Sequence, residues 1–199
     1  MKLIYTPTSP FSRKVRIVAR ECGHDAAIEE VFDHPLAEGS KVAEFNPLGK
    51  VPALVLDDGT LLVDSRVICE FLDQHNRTPG LLPQTGPERC HVLTGHALGD
   101  GLLDAAVASV NELRRPQTKR SAYWLQRWHE AITRTLAELD KRVEAQGSRF
   151  DLAAVSWVCA LGYLEFRLPD FDFQQLPRLA AWWQQVSTRE SVAATVHRV

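Results

Sequence analysis

Ser9 stands where a hydroxyl group can meet an anion. It lies between a short apolar run that ends at Tyr5 and a helically periodic segment that begins near Phe11, and Pro10 suits a first helical turn. The free N–H groups at such a helix start attract anions. Serine is also a common helix N-cap, whose hydroxyl satisfies one of these N–H groups. The residues alone leave both interpretations open, an anion-binding hydroxyl and a structural cap.

Three cations, Arg13, Lys14 and Arg16, follow within two helical turns. The helix dipole disfavours positive charge at this end of a helix. We therefore expect these side chains either to line a solvated face or to surround a bound anion with positive charge.

Asp64 and Ser65 stand at the start of a second predicted helix. Either side chain can cap that helix. In the functional interpretation, Ser65 and the helix N-terminus hold a carboxylate, while Asp64 meets an ammonium group. An acid beside a hydroxyl at a helix start suits the headgroup of an α-amino acid, which carries both charges.

Pro52 directly precedes a predicted strand. A trans proline is an ordinary residue at a strand start. A cis Val51–Pro52 bond would instead turn the Val51 backbone N–H and C=O outward, where an extended peptide can pair with them.

The elements that position these residues mix short strands and short helices over the first part of the chain. An Asp-Gly turn at residues 57–60 between two apolar runs predicts a β-hairpin. The predicted order is β-α-β, a short helix, then β-β-α. The expected strands cover residues 2–5, 28–32, 53–56 and 61–63, and the expected helices cover residues 11–21, 37–44 and about 65–75.

The rest of the chain shows helical periodicity without a strand pattern. A stretch rich in proline and glycine precedes it. We therefore predict an α/β domain at 1–77, a linker at 78–86 and an all-helical domain at 87–199. The segment 151–166 is apolar almost all round, which predicts a buried helix. Asp151 caps this helix in one register, with Ala154 three residues on; in the other register Ser148 is the cap and Asp151 the third residue.

Composition excludes several classes of protein. The chain has 199 residues, of which 45% are hydrophobic, and a net charge of −2, which is not typical of a general nucleic-acid binder. No apolar run is long enough to cross a membrane. The cysteines form no Cys-x-x-Cys pair, and no His/Cys cluster has metal-ligand spacing. We expect a reduced, cytoplasmic protein with no metal. Serine at positions 9 and 12 excludes thiol–disulfide exchange from that loop.

Taken together, three segments in this order and spacing resemble the glutathione S-transferase superfamily, in its bacterial cytosolic type with serine at the thiol-facing position. The likeness extends over essentially the whole chain. It implies a thioredoxin-like N-terminal domain, an all-α C-terminal domain, a role in detoxification and a homodimer. The matching segments are Ser9-Pro10-Phe11 with Arg13-Lys14-Val15-Arg16, Asn46-Pro47-Leu48-Gly49-Lys50-Val51-Pro52-Ala53-Leu54, and Asp64-Ser65-Arg66-Val67-Ile68.

The resemblance also implies roles for individual residues in binding glutathione. Pro52 is expected to be cis and Val51 to pair with the glutathione backbone. Asp64 and Ser65 are expected to bind the γ-glutamyl end, and Lys50 to approach the glycyl carboxylate.

At the position of Ser9, the family has the serine or cysteine that faces the glutathione sulfur. The Ser9 hydroxyl is expected to donate to the sulfur, and the activated thiol to attack a small electrophile or a peroxide. Tyr5 is the rival donor, because some relatives use a tyrosine near the end of the first strand.

The second substrate is harder to predict. Four residues are candidates for its pocket: Phe11, His96, Asp100 and Leu103. A basic patch around Pro116 is expected to be solvated, with an anionic second substrate as the alternative; it comprises Arg114, Arg115, Lys119 and Arg120. A non-catalytic glutathione S-transferase-like interaction module is the alternative to an enzyme, because a fold does not secure an activity.

Overall fold

The computed structural model describes residues 1–76 and 80–198. The chain divides into two compact units, Met1–Gln84 with Glu190–Val199 and Thr85–Arg189. Residues 77–79, which include the start of the predicted linker, lie outside the described residues. The sequence predicts that the C-terminal residues belong to the helical domain, whereas residues 190–198 group with the first unit. The predicted domain boundaries stay a prediction.

The first unit has the predicted order β-α-β-α-β-β-α. The four strands in the described residues form one sheet in the order β2-β1-β3-β4. β1 is parallel to β2 and antiparallel to β3, and β3 is antiparallel to β4. The elements are β1 (Lys2–Tyr5), α1 (Pro10–Glu21), β2 (Glu29–Phe32), α2 (Val42–Phe45), β3 (Ala53–Val55), β4 (Leu61–Leu62) and α3 (Ser65–Gln74).

Alternation along β1 separates the two faces of the sheet. Ile4 belongs to a buried cluster with Val42, Val51 and Ala53, so α2 and the start of β3 cover one face. Leu3 is 1% exposed and points to the other face, where α1 and α3 pack against each other.

The helix expected over 37–44 begins later and is shorter. Residues 34–40 form turns instead, with Gly39 at a φ of 76°. The Asp33 carboxylate accepts from the Lys41 N–H at 2.8 Å, and the Ser40 hydroxyl accepts from the Val42 N–H at 3.2 Å. These side-chain bonds satisfy the backbone at the helix start, so α2 forms only at Val42–Phe45.

The regular elements in the described residues of the second unit are all helices, as predicted. Its helices are α4 (Gly86–Leu113), α5 (Ala122–Gln146), α6 (Leu152–Arg167) and α7 (Pro177–Val186). A last short helix, α8 (Glu190–Ala193), belongs to the first unit. No helix in the described part of the chain is long and apolar enough to cross a membrane.

Helix α6 is the buried centre of the second unit. Each of its residues from Leu152 to Leu164 is buried. Asp151 is the N-cap, and its side chain accepts from the Ala154 N–H at 3.0 Å, which confirms the first of the two predicted registers. The Trp157 indole donates to the Gly95 carbonyl at 2.7 Å and ties α6 to α4.

Candidate functional site

Ser9 is the N-cap of α1. Its Oγ accepts a hydrogen bond from the Ser12 N–H at 3.2 Å. Its backbone N–H donates to the Thr6 carbonyl at 3.0 Å, and its own carbonyl accepts from the Arg13 N–H at 3.0 Å. Three bonds therefore hold Ser9 at the turn between β1 and α1. A hydroxyl that accepts from a helix N–H keeps its proton for another acceptor.

Val51 precedes β3 by two residues, and its bond to Pro52 is cis. The residue is 9% exposed. Within the described residues, no hydrogen bond engages its backbone N–H or C=O. The loop before it is tied by Asn46, whose side-chain amide donates to the Lys50 carbonyl at 2.7 Å. The Lys50 side chain is exposed. This backbone has the free donor and acceptor that an extended peptide requires.

Asp64 is the N-cap of α3, and Ser65 is the first residue of that helix. The Asp64 Oδ1 atom accepts from the Arg66 N–H at 2.9 Å. Ser65 is 4% exposed, and its hydroxyl makes no hydrogen bond to another described residue. Asp64 is exposed, so one carboxylate oxygen stays available beside the positive end of the helix.

Sheet topology brings these three positions to one edge. Ile4 pairs with Ala53, and Leu54 pairs with Leu62. β1 continues from Ile4 toward Ser9, β4 continues from Leu62 toward Asp64, and β3 begins two residues after Val51, so the three segments leave the sheet at the same end. The end of β1, the start of β3 and the end of β4 therefore meet where the N-termini of α1 and α3 begin. The sequence alone gave no direct view of this convergence, since it depends on strand order.

Arg13 and Lys14 are buried, at 3% and 0% exposure. They do not line a solvated face, so that interpretation is wrong for both. The Arg13 Nη2 atom donates to the Val192 carbonyl at 3.3 Å, and Lys14 Nζ lies 5.7 Å from the centre of the Phe11 ring. Both cations are therefore packed within the first unit.

The ring of Tyr5, the alternative to Ser9 as the donor to sulfur, packs against a cation. The Arg16 guanidinium lies 5.0 Å from the ring centre, and its Nε donates to the Glu30 carboxylate at 2.7 Å. The Tyr5 carbonyl accepts from the Asp33 N–H at 3.0 Å. These contacts give Tyr5 a structural role at the end of β1; its role as a donor to sulfur stays a prediction.

The predicted residues of the second-substrate pocket fall in both units. Phe11 lies in the first turn of α1. His96, Asp100 and Leu103 are buried on α4, and His96 Nε2 lies 3.5 Å from Asp100 Oδ2. Their assignment to a pocket stays a prediction.

The basic patch is exposed. Within it, Arg115 pairs with Glu112 at 3.1 Å, and the Arg120 Nε donates to the Arg115 carbonyl at 2.9 Å. Among the described residues, no group of three or more His, Cys, Asp and Glu side chains is arranged to hold a metal ion.

One residue near the site was missed by sequence reasoning. His197 is 8% exposed, and its Nδ1 atom lies 3.1 Å from the Pro7 carbonyl, two residues before Ser9. The two residues are 190 positions apart in the chain, so no local pattern could have indicated the contact.

Comparisons with known proteins agree with this architecture. The model of the glutathione S-transferase N-terminal domain matches residues 8–75, and that of the C-terminal domain matches residues 122–184. The uncharacterised GST-like protein YibF of Escherichia coli K12 is 37% identical over 200 residues, covering 98% of this chain and 98% of its own.

Two solved structures from Pseudomonas fluorescens Pf-5 are also similar. A glutathione transferase family member with bound glutathione has a TM-score of 0.95 and 41% identity, over 100% of this chain and 99% of its own. A structure with bound S-(propanoic acid)-glutathione has a TM-score of 0.91 and 41% identity, over 100% of both chains. The chain described here belongs to the glutathione S-transferase family.

Proposed function

We propose that the protein is a glutathione transferase that activates the thiol of glutathione for attack on a small electrophile or a peroxide. The observation that carries the proposal is the convergence of the Ser9 hydroxyl, the Val51 backbone and the Asp64-Ser65 helix start at one edge of the sheet. These groups match the chemistry of a tripeptide thiol with an amino-acid end.

Binding of the tripeptide is assigned to the second and third of these groups. The Val51 N–H and C=O pair with the glutathione backbone as an added strand would. The Ser65 hydroxyl and the N-terminus of α3 take the α-carboxylate of the γ-glutamyl end, and Asp64 takes its ammonium group. Lys50, which is exposed, is assigned to the glycyl carboxylate.

Activation of the thiol is assigned to Ser9. An unperturbed thiol has a pKa near 8.5, so little thiolate exists at neutral pH, and the thiolate is the nucleophile. A hydrogen bond to a charged group contributes roughly 1.5–3 kcal/mol, which lowers a thiol pKa by about one to two units. Ser9 therefore needs only to donate a hydrogen bond to the sulfur, and the proton of the thiol passes to solvent water.

Two structures of one relative from Pseudomonas fluorescens support the two halves of this proposal. One has bound glutathione, and the other has bound a glutathione whose sulfur carries a propanoic acid substituent. An S-substituted glutathione is the kind of molecule that thiol conjugation forms.

Two measurements test the proposed function. Calorimetry measures glutathione binding, and spectrophotometry measures the turnover of a generic aryl halide and of an organic hydroperoxide. We expect binding together with turnover of at least one of them. Binding with both rates equal to the uncatalysed rates would reject the transferase and favour a non-catalytic module. Absence of glutathione binding would also reject the transferase and would favour a protein-interaction module that does not use the tripeptide.

A further inference from the structure

The segment 190–198, here named the brace, is fastened to α1 and to the loop before it. The Ser191 hydroxyl donates to the Glu21 carboxylate at the last residue of α1. The Val192 carbonyl accepts from Arg13 in the first turn of that helix at 3.3 Å. His197 contacts the Pro7 carbonyl at 3.1 Å. The brace therefore engages α1 at both ends, and all of these residues belong to the first unit.

Several side chains of the brace are buried. Val192 and Thr195 are each 1% exposed, and His197 is 8% exposed. The Thr195 hydroxyl donates to the Ser191 carbonyl at 2.8 Å, which holds the turn after α8. Because these side chains are buried, we expect a shift of the brace to shift α1 and the loop before it.

The His197 contact acts on the turn that carries Ser9. A carbonyl oxygen only accepts hydrogen bonds, so Nδ1 of His197 carries the proton and donates to Pro7. The Ser9 N–H donates to the Thr6 carbonyl at 3.0 Å, so residues 6–9 form a turn that contains Pro7. The proline has no N–H of its own to fix this stretch. Its carbonyl is therefore held from outside the turn, by a side chain 190 positions away.

We propose that His197 is a positioning residue for the thiol-activating hydroxyl of Ser9, acting through the Pro7 carbonyl. This inference rests on the proposed function of Ser9 and adds to it the part of the molecule that sets its geometry. A hydroxyl must be held within a few tenths of an ångström of its productive position to be effective. The groups assigned to the tripeptide's backbone and γ-glutamyl end belong to other segments, Val51 before β3 and Asp64-Ser65 at the start of α3.

Three variants test the proposal. His197→Phe keeps a planar ring and removes the donor; His197→Asn keeps a donor at a comparable distance from the backbone. Val196→Ala is the matched control, because Val196 is the adjacent residue and is 51% exposed. The thiol pKa of bound glutathione is read from thiolate ultraviolet absorbance against pH, alongside kcat and KM.

We expect His197→Phe to raise the pKa of the bound thiol and to lower kcat roughly tenfold at neutral pH, the effect of about one pKa unit. The KM for glutathione should stay within about twofold, because the proposed tripeptide contacts are intact. His197→Asn should restore most of kcat, and Val196→Ala should resemble the unmodified protein. An unchanged thiol pKa in His197→Phe, or a loss of activity that Asn does not rescue, would overturn the proposal.

A readout without glutathione separates this inference from the proposed function. Hydrogen exchange of the Ser12 and Arg13 amides in the free protein reports the order of the first turn of α1. We expect faster exchange there in His197→Phe, with no change in the amides of α3. Equal exchange rates of the Ser12 and Arg13 amides in the unmodified protein and in His197→Phe would reject the positioning role of His197, even if the protein activates glutathione. Failure of the unmodified protein to bind glutathione would contradict the proposed function. The exchange rates, measured without glutathione, would still decide whether His197 orders the first turn of α1.

Discussion

The Ser12 N–H donates a hydrogen bond to the Ser9 Oγ atom across 3.2 Å. This bond makes Ser9 the cap of α1. The Ser9 oxygen accepts in this bond, so its hydroxyl proton remains able to donate to another group. The structural and the functional interpretations of Ser9 are therefore compatible. A serine that caps the helix is held in place by that bond while its hydroxyl proton stays available to another acceptor.

Replacing Ser9 by alanine separates these two roles. We expect Ser9→Ala to lose about 1 kcal/mol of stability with its cap and to lose roughly 10- to 100-fold in kcat/KM, the worth of one charge-assisted hydrogen bond. Ser121→Ala is the matched control, because Ser121 caps α5 by accepting from the Trp124 N–H at 3.4 Å. It should lose stability alone. Urea titration and steady-state kinetics measure the two effects.

Full activity in Ser9→Ala, with normal glutathione binding, would assign the donor elsewhere. Tyr5→Phe then tests the rival, which keeps its contact with Arg16 but loses its hydroxyl. If Ser9 is the donor, Tyr5→Phe retains nearly all of the activity.

Asp64→Asn tests the assignment of the γ-glutamyl end. Asparagine caps a helix as well as aspartate does, so the fold should be nearly unaffected while the charge for the ammonium group is lost. We expect glutathione to bind about 10- to 100-fold more weakly by calorimetry. Asp151→Asn makes the same change at the cap of α6 and should leave the affinity unaltered. Equal affinity in Asp64→Asn and the unmodified protein would remove Asp64 from the site.

Local sequence patterns predicted the elements and the helix caps of this protein. Ser9, Asp64 and Asp151 are each followed within three residues by the N–H that they accept from, so a cap is written in neighbouring residues. The hairpin turn likewise depends on Gly59, whose φ is 86°.

Long-range contacts were beyond the reach of the same reasoning. The burial of Lys14 depends on what packs over α1, and the contact of His197 with Pro7 joins distant parts of the chain. The convergence at the sheet edge follows from strand order, which only the resemblance to a known family implied. The sequence therefore predicted the local elements and helix caps better than it predicted the long-range contacts that hold them in place.

Two glycines in α4 make a matched pair for the packing of the second unit. A Cβ atom at Gly99 would lie 2.3 Å from the Ser156 Oγ and 2.9 Å from the Ser156 carbonyl carbon, whereas at Gly101 it would meet nothing within 4 Å. We expect Gly99→Ala to destabilise the protein by about 1–3 kcal/mol, because α6 must move away. Gly101→Ala should stabilise it by roughly 0.5–1 kcal/mol, because alanine favours the helix. Thermal unfolding measures both; a stable Gly99→Ala would show that α4 and α6 separate at little cost.

Cys22 gives the stability of the first unit a predicted dependence on alkaline pH. Burial raises the pKa of its thiol to about 12, and the carboxylates of Asp73 and Glu21 add to the shift. In the unfolded chain the thiol ionises at its ordinary pKa, so above that value the unfolded state binds fewer protons than the folded state and stability falls as the pH rises. The loss reaches at most about 1.4 kcal/mol per pH unit.

Urea unfolding of the protein and of Cys22→Ala, at about pH 8 and about pH 10, tests this dependence. The difference between their free energies of unfolding should shrink at the higher pH. The raised pKa of Tyr163, which burial also causes, is common to both proteins and cancels. A difference that stays constant over this range would mean that Cys22 ionises in the folded protein as readily as in the unfolded chain.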